Sequence, residues 1–205
     1  MKKINVEQWE RKEIFRFYEN FSMPRFQMTV NVNIKRYLRY LKKNKVSFYY
    51  GMMWLILKIV HEQEAFRYRF VDNEPVLFAN VHPSFTEKVG DGSRFKIVHG
   101  EYADDLITFE QKLKAAALKQ GDQFINETLE SRQDWLYFST FPWETFTHAT
   151  NVTNFDSHDA IPRIGWGKIT KKGELPLTIE VHHAFCDGYH VGLFIHQLKM
   201  RLKGY

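Results

Sequence analysis

The chain has 205 residues, enough for one sizeable domain, and its 44% hydrophobic content supports a full core and excludes an intrinsically disordered protein. Its formal net charge of +5 suits an acidic or phosphate-bearing partner, but the basic residues are scattered and accompany no nucleic-acid-binding motif, so no nucleic acid is expected. A single cysteine, Cys186, excludes an intrachain disulfide and a cysteine-based zinc site.

The opening residues carry no signal-peptide pattern, so the cytoplasm is the expected compartment. Asn5-Val6-Glu7-Gln8 resembles a capping box and predicts a helix carrying Trp9, Arg11, Phe15, Phe17 and Tyr18. Phe26, Met28, Val30, Val32 and Ile34 then alternate with polar residues, which predicts a strand. A short helix is expected over 35–43, and a nearly all-apolar helix over 48–63 should cross the core. The longest apolar stretch in that region, Phe48 to Leu57, is too short to span a bilayer, so no membrane is expected. Phe66, Tyr68 and Phe70 alternate up to Asp72-Asn73-Glu74-Pro75, and Val76-Leu77-Phe78 returns as a hairpin. A strand is predicted over 95–98. Residues 102–120 read as an amphipathic helix with Leu106, Phe109 and Leu113 inward and Gly121 as its stop. Strands around 135–141 and 163–170 follow. With no repeat, low-complexity tract or linker, the pattern is that of one α/β or α+β domain with a largely antiparallel sheet.

Leu175, Leu177, Ile179 and Val181 alternate with Pro176, Thr178 and Glu180, the period of a half-buried strand. Continuing that parity puts His183 on the apolar face and His182 on the polar one. After Gly188, Val191, Phe194, Ile195, Leu198 and Leu202 recur at helical spacing. An imidazole at such a strand end, partly desolvated and rigidly held, suits a general base near neutral pH. It equally suits a packed structural histidine, with Asp187 as a helix cap. His182, His183, Asp187 and His190 are also possible metal ligands. Adjacent strand residues point to opposite faces, so the two histidines do not readily chelate one ion, and no metal is expected.

The pattern His-His-x-x-x-Asp-Gly at 182–188 resembles the signature of CoA-dependent acyltransferases. Trp9-Glu10-Arg11-Lys12-Glu13-x-Phe15-x-Phe17-Tyr18, Ser139-Thr140-Phe141-Pro142-Trp143 and the segment 162–168 resemble blocks of the chloramphenicol acetyltransferase family, and the likeness spans Trp9 to Leu202. The resemblance implies an α/β (α+β) acyltransferase fold, a two-layer sandwich in which a largely antiparallel mixed sheet is flanked by helices, with residues 1–205 as a single domain. It implies acetyl transfer from acetyl-CoA to a small-molecule acceptor, chloramphenicol, by a homotrimer with active sites at subunit interfaces. By the same resemblance His183 is the general base and Ser139 steadies the oxyanion. Asp187 and Arg11 pair in support of the site, Tyr18 and Phe17 line the acceptor pocket, and Lys168 and Trp143 lie near the CoA tunnel.

Two residues depart from the family pattern. Gly165 stands where a threonine commonly helps hold a water, and Ile169 stands where an aromatic ring usually covers the adenine. Two other readings stay open at this level: the same chemistry on a different hydroxyl or amine, and a trimeric binding protein weakened in catalysis.

Overall fold

The computed structural model describes residues 1–152 and 155–205. The chain opens with β1 (Lys2–Lys3), a 3-10 turn (Val6–Gln8) and α1 (Lys12–Tyr18), followed by β2 (Arg25–Asn33), α2 (Lys35–Lys43) and α3 (Phe48–His61). The middle holds β3 (Tyr68–Val71), β4 (Glu74–Leu77), β5 (His82–Val89), β6 (Arg94–His99), α4 (Leu106–Gln120) and α5 (Glu127–Glu130). It closes with β7 (Trp135–Phe141), β8 (Arg163–Gly167), β9 (Glu174–His182) and α6 (Gly188–Gly204).

Six strands form one mixed sheet in the order β2-β9-β8-β7-β5-β6, and β1-β4-β3 form a small antiparallel sheet. In the large sheet only β5 with β7 and β7 with β8 run parallel. The other three pairings are antiparallel, so the expected mixed, largely antiparallel sheet is present. Leu175, Leu177, Ile179 and Val181 of β9 share one buried cluster with Phe138 of β7, Ile164 of β8 and the inward residues of α2, α3, α4 and α6. The nearly all-apolar α3 lies inside that cluster, which explains why no polar stripe runs along it.

The opposite face of the sheet carries polar side chains. Register sets Gln27, Glu180, Arg163, Tyr137, Ser84 and His99 in one row across the six strands. Two residues along, Thr29, Thr178, Gly165 and Ser139 form the next row. The same period of two that builds the core thus assembles a polar surface behind it.

Several elements differ from the sequence reading. Asn5 accepts from the Glu7 N–H, but it caps only the 3-10 turn; Trp9 is extended and α1 begins at Lys12. Trp9 instead packs against Phe15, Tyr68 and Phe185 in a second apolar cluster. The predicted 102–120 helix starts at Leu106 because the Asp105 carboxylate caps it through the Thr108 N–H. β5 escaped prediction: Pro83 at its start and Glu87-Lys88 near its end disguise a strand that lies inside the sheet. The hairpin turn is carried by Asp72 and Asn73 at φ of 51° and 62°, as a tight two-residue connection requires.

Candidate active site

β9 ends at His182, and the chain turns before His183, so the strand parity stops one residue short of the candidate base. The His183 N–H donates to Pro24 O at 2.7 Å, which anchors the turn to the start of β2. The imidazole lies flat on Tyr18, 4.0 Å between centroids and 16° between planes, with Phe26 at 4.9 Å. Its Nδ1 is buried without a partner among the described residues.

His182 keeps the polar-face parity that the sequence predicts, as the last residue of β9, but it is covered there. It is the more buried of the pair, at 1% exposure, because the second apolar cluster covers this end of the sheet. Its Nε2 lies 2.8 Å from Ser157 O, and its Nδ1 accepts the Ala184 N–H at 3.2 Å. That pair of bonds fixes the tautomer with the proton on Nε2. Burial pushes its pKa down to about 4, against the opposing bond to Ser157. His182 therefore holds the turn, and His183 is presented by it.

Asp187 fills both roles that the sequence left open. Its Oδ1 accepts from the Tyr189 and His190 N–H groups, and the His190 ring completes a capping box at the start of α6. Its Oδ2 receives Arg11 NH1 at 3.0 Å. Burial pushes the Asp187 pKa up, but the Arg11 hydrogen bond and the His190 and Arg11 charges outweigh it, and the net shift is downward. The helix cap and the ion pair together tie the chain's first turn to its last helix.

Ser139 is exposed on the polar face of β7. It lines a cavity of about 410 Å³ with Gly165, Thr178, His148 and Asn151, and another of about 350 Å³ with Ser84, Glu130 and Tyr137. Gly165 sits opposite Thr178, whose hydroxyl donates to Gly165 O at 3.3 Å. A Cβ on Gly165 would come 2.9 Å from Ser139 O and 3.0 Å from the Thr178 hydroxyl. The glycine thus leaves room for a hydroxyl that the neighbouring strand supplies. Thr178 was missed as a site residue, although its polar parity in the β9 pattern was visible.

Beyond Thr140 opens a cavity of about 600 Å³, lined by Phe48, Tyr49, Lys88, Trp166, Lys168 and Ile169 among others. Lys168 is exposed at its wall. Trp143 does not line it; it sits outside, 56% exposed, with Lys88 Nζ 4.9 Å from its ring centroid. Lys88 and Tyr49 escaped the sequence reading because β5 did, and because Tyr49 lay in a helix read as pure core. Apolar walls with two lysines fit a ligand that has an apolar arm and phosphates.

The structure brings His183, Tyr18, Arg11 and Asp187 to one end of the sheet and leaves Ser139, Lys168 and Trp143 away from them. Ser139 is level with Thr178 across β8, so strand spacing puts it roughly 16 Å from His182 in the same chain. Phe17, 63% exposed, meets Tyr18 edge-on at 4.8 Å; its other ring neighbour among the described residues is Phe21, not His183. No group of three His, Cys, Asp or Glu side chains is arranged to hold a metal among the described residues, and no described helix is long and apolar enough to cross a membrane.

The sheet, its single helical layer and the histidine turn define an acyltransferase fold. A solved structure titled as a probable dihydrolipoamide acetyltransferase from Listeria monocytogenes shares that fold, with a TM-score of 0.66 at 13% identity over 100% of this chain and 95% of the other. A solved chloramphenicol acetyltransferase superposes with a TM-score of 0.88 at 27% identity, covering 98% of this chain and 99% of the other. An Escherichia coli protein named chloramphenicol acetyltransferase is 30% identical over 200 residues, 96% of this chain and 91% of that relative. The family model described as chloramphenicol acetyltransferase matches residues 1–199, and the chain belongs to that family. It is accordingly an acetyltransferase.

Proposed function

We propose that the chain is a cytoplasmic, acetyl-CoA-dependent O-acetyltransferase that modifies a hydroxyl of chloramphenicol, and that residues 1–205 act as one catalytic unit within a homotrimer. In a cell such a reaction would confer resistance to the antibiotic. The observation that carries the reading is the separation of the two reactive groups. His183 and Ser139 lie too far apart in one chain to serve one reacting centre, yet each stands at an open surface. A second copy that sets its His183 turn against the Ser139 face completes a site, and a ring of three repeats the contact without leaving a free edge.

His183 Nε2 takes the proton from the acceptor hydroxyl as its oxygen attacks the thioester carbonyl carbon. The C–O bond forms, negative charge gathers on the former carbonyl oxygen, and the Ser139 hydroxyl donates to it. When the C–S bond breaks, His183 returns the proton to the departing sulfur, leaving the acetyl ester and free CoA thiol. Tyr18 and Phe17 flank the acceptor, while Lys168 and Lys88 face the phosphates of the donor. Trp143 forms the outer wall of that donor entrance beside Lys88.

The test is thiol release from acetyl-CoA by the purified protein, with and without chloramphenicol, beside sedimentation equilibrium. Acceptor-dependent thiol release by a trimer is the expected result. A monomer with full activity would overturn the shared site, and absence of thiol release would overturn the activity.

A further inference from the structure

The cavity of about 350 Å³ beside Ser139 is largely apolar, but its wall also carries Ser84, Glu130, Tyr137 and Arg163. Its far wall is the Glu130 carboxylate, which accepts the Tyr137 hydroxyl at 2.9 Å and the His99 Nε2–H at 2.7 Å. A carboxylate offers about four lone-pair sites, so two donors leave acceptor capacity facing the cavity.

The cation in the same wall does not neutralise Glu130. Arg163 is engaged by Glu180 at 3.3 Å and Asp159 at 2.5 Å, and those two carboxylates also bind Arg25. An adjoining cavity of about 400 Å³ shares Glu130, Tyr137 and Arg163 and adds the carboxylates of Asp72 and Asp156, Asp159 being taken up by the two arginines. An independent feature points into the first cavity. The Ser84 hydroxyl is buried, at 2% exposure for the residue, lines it, and has no partner among the described residues. A buried hydroxyl without a hydrogen bond is costly, and a polar ligand would relieve it.

We infer that this cavity receives the ammonium end of an amino alcohol whose hydroxyl lies against Ser139, so the acceptors of this enzyme include hydroxylated amines. The inference rests on the acetyl-transfer reading and adds a substrate class to it. Tyr137 and Ser139 are two residues apart on one strand face, about 6.7 Å, so the hydroxyl and the ammonium are separated by a similar span. The bonds made and broken are those already described, and the product is the amino alcohol's acetyl ester.

The matched probes are 5-(dimethylamino)-1-pentanol and its neutral isostere 6-methyl-1-heptanol, with chloramphenicol as a third acceptor, all followed by thiol release. The tertiary amine keeps a positive charge and one N–H donor, and it forms no stable amide. The amine is expected to show kcat/KM about tenfold above its isostere, and raising salt should erode that advantage because it screens a charge pair. Glu130→Gln, checked for folding by circular dichroism, should bring the ratio close to one; the salt dependence needs no variant. Turnover of chloramphenicol with no preference for the amine, or a preference insensitive to both salt and Glu130→Gln, would overturn the inference and leave acetyl transfer standing. No thiol release with any of the three would overturn both.

Discussion

The Tyr18 ring lies flat on the His183 imidazole, and the two come from opposite ends of the chain. The stack limits rotation of the base about its last side-chain bond, while the bond from its backbone to Pro24 fixes the main chain. Tyr18→Phe keeps the stack and is expected to hold kcat within about threefold, whereas Tyr18→Ala frees the ring and should lower kcat about tenfold or more. Stopped-time thiol assays distinguish the two. Equal losses in both variants would show that the phenol hydroxyl, not the stack, is what matters.

The two histidines should fail in different ways. His183→Ala removes the proposed base and is expected to cut kcat by roughly a hundredfold to ten-thousandfold with the melting temperature nearly unchanged. His182→Ala removes a buried ring and two hydrogen bonds, so its first effect is a lower melting temperature. The pH dependence follows from the depressed His182 pKa of about 4. The unfolded chain binds this proton more readily, so the contribution is full above the ordinary histidine range and is lost as pH falls from about 6.5 toward 4. Denaturation midpoints of wild type and His182→Asn across that range should converge at the acid end, and parallel curves would count against the assignment.

Arg11 and Asp187 are expected to be coupled. Asp187→Asn leaves the guanidinium, already short of partners at Nε and NH2, without its carboxylate. Each single variant should lower the melting temperature, and the double variant should cost less than the sum. Asparagine keeps an oxygen able to cap α6, so the loss in Asp187→Asn reports on the ion pair rather than on the cap. Urea midpoints for the four proteins close the cycle, and strict additivity would exclude an interaction.

Replacing Gly165 by threonine should harm the enzyme rather than restore it. The new Cβ would meet the Ser139 carbonyl, part of the backbone, and the Thr178 hydroxyl. A branched side chain there is expected to lower both the melting temperature and kcat. Thr178→Val, which removes the hydroxyl and keeps the shape, should lower kcat with less effect on stability. A Gly165→Thr enzyme faster than wild type would refute this account of the glycine.

Much of the fold was legible because its signals were local and periodic. The alternation over 26–34 and 175–181 gave β2 and β9 within a residue or two, and the 35–43 helix matched α2. β5 was not legible, since its place inside the sheet depends on partners far away in sequence, and its own residues include Pro83 and a charged pair. The histidine pair was found by pattern, and His182 keeps its polar parity to the end of β9. The pattern did not show its cover, because the cluster over His182 is built from α1, β3 and the turn itself. Glu130 and Thr178 became visible only when register set them beside Tyr137 and Ser139.

The span between His183 and Ser139 has a consequence for mixtures of subunits. Ser139→Ala alone should lower kcat about a hundredfold with little change in acceptor KM, since the bond proposed for it forms mainly in the transition state. Chains with Ser139→Ala and chains with His183→Ala are then each crippled, but for complementary reasons. If the two are unfolded together in equal amounts and refolded, a ring built from repeated head-to-tail contacts joins an intact base to an intact hydroxyl at about one quarter of its sites. Activity should return to about that fraction of wild type, though neither parent has it. Refolding the parents separately and pooling them afterwards should recover nothing beyond slow exchange. A defect in one gene copy is thereby masked by a different defect in another, a form of rescue that a self-contained site does not permit.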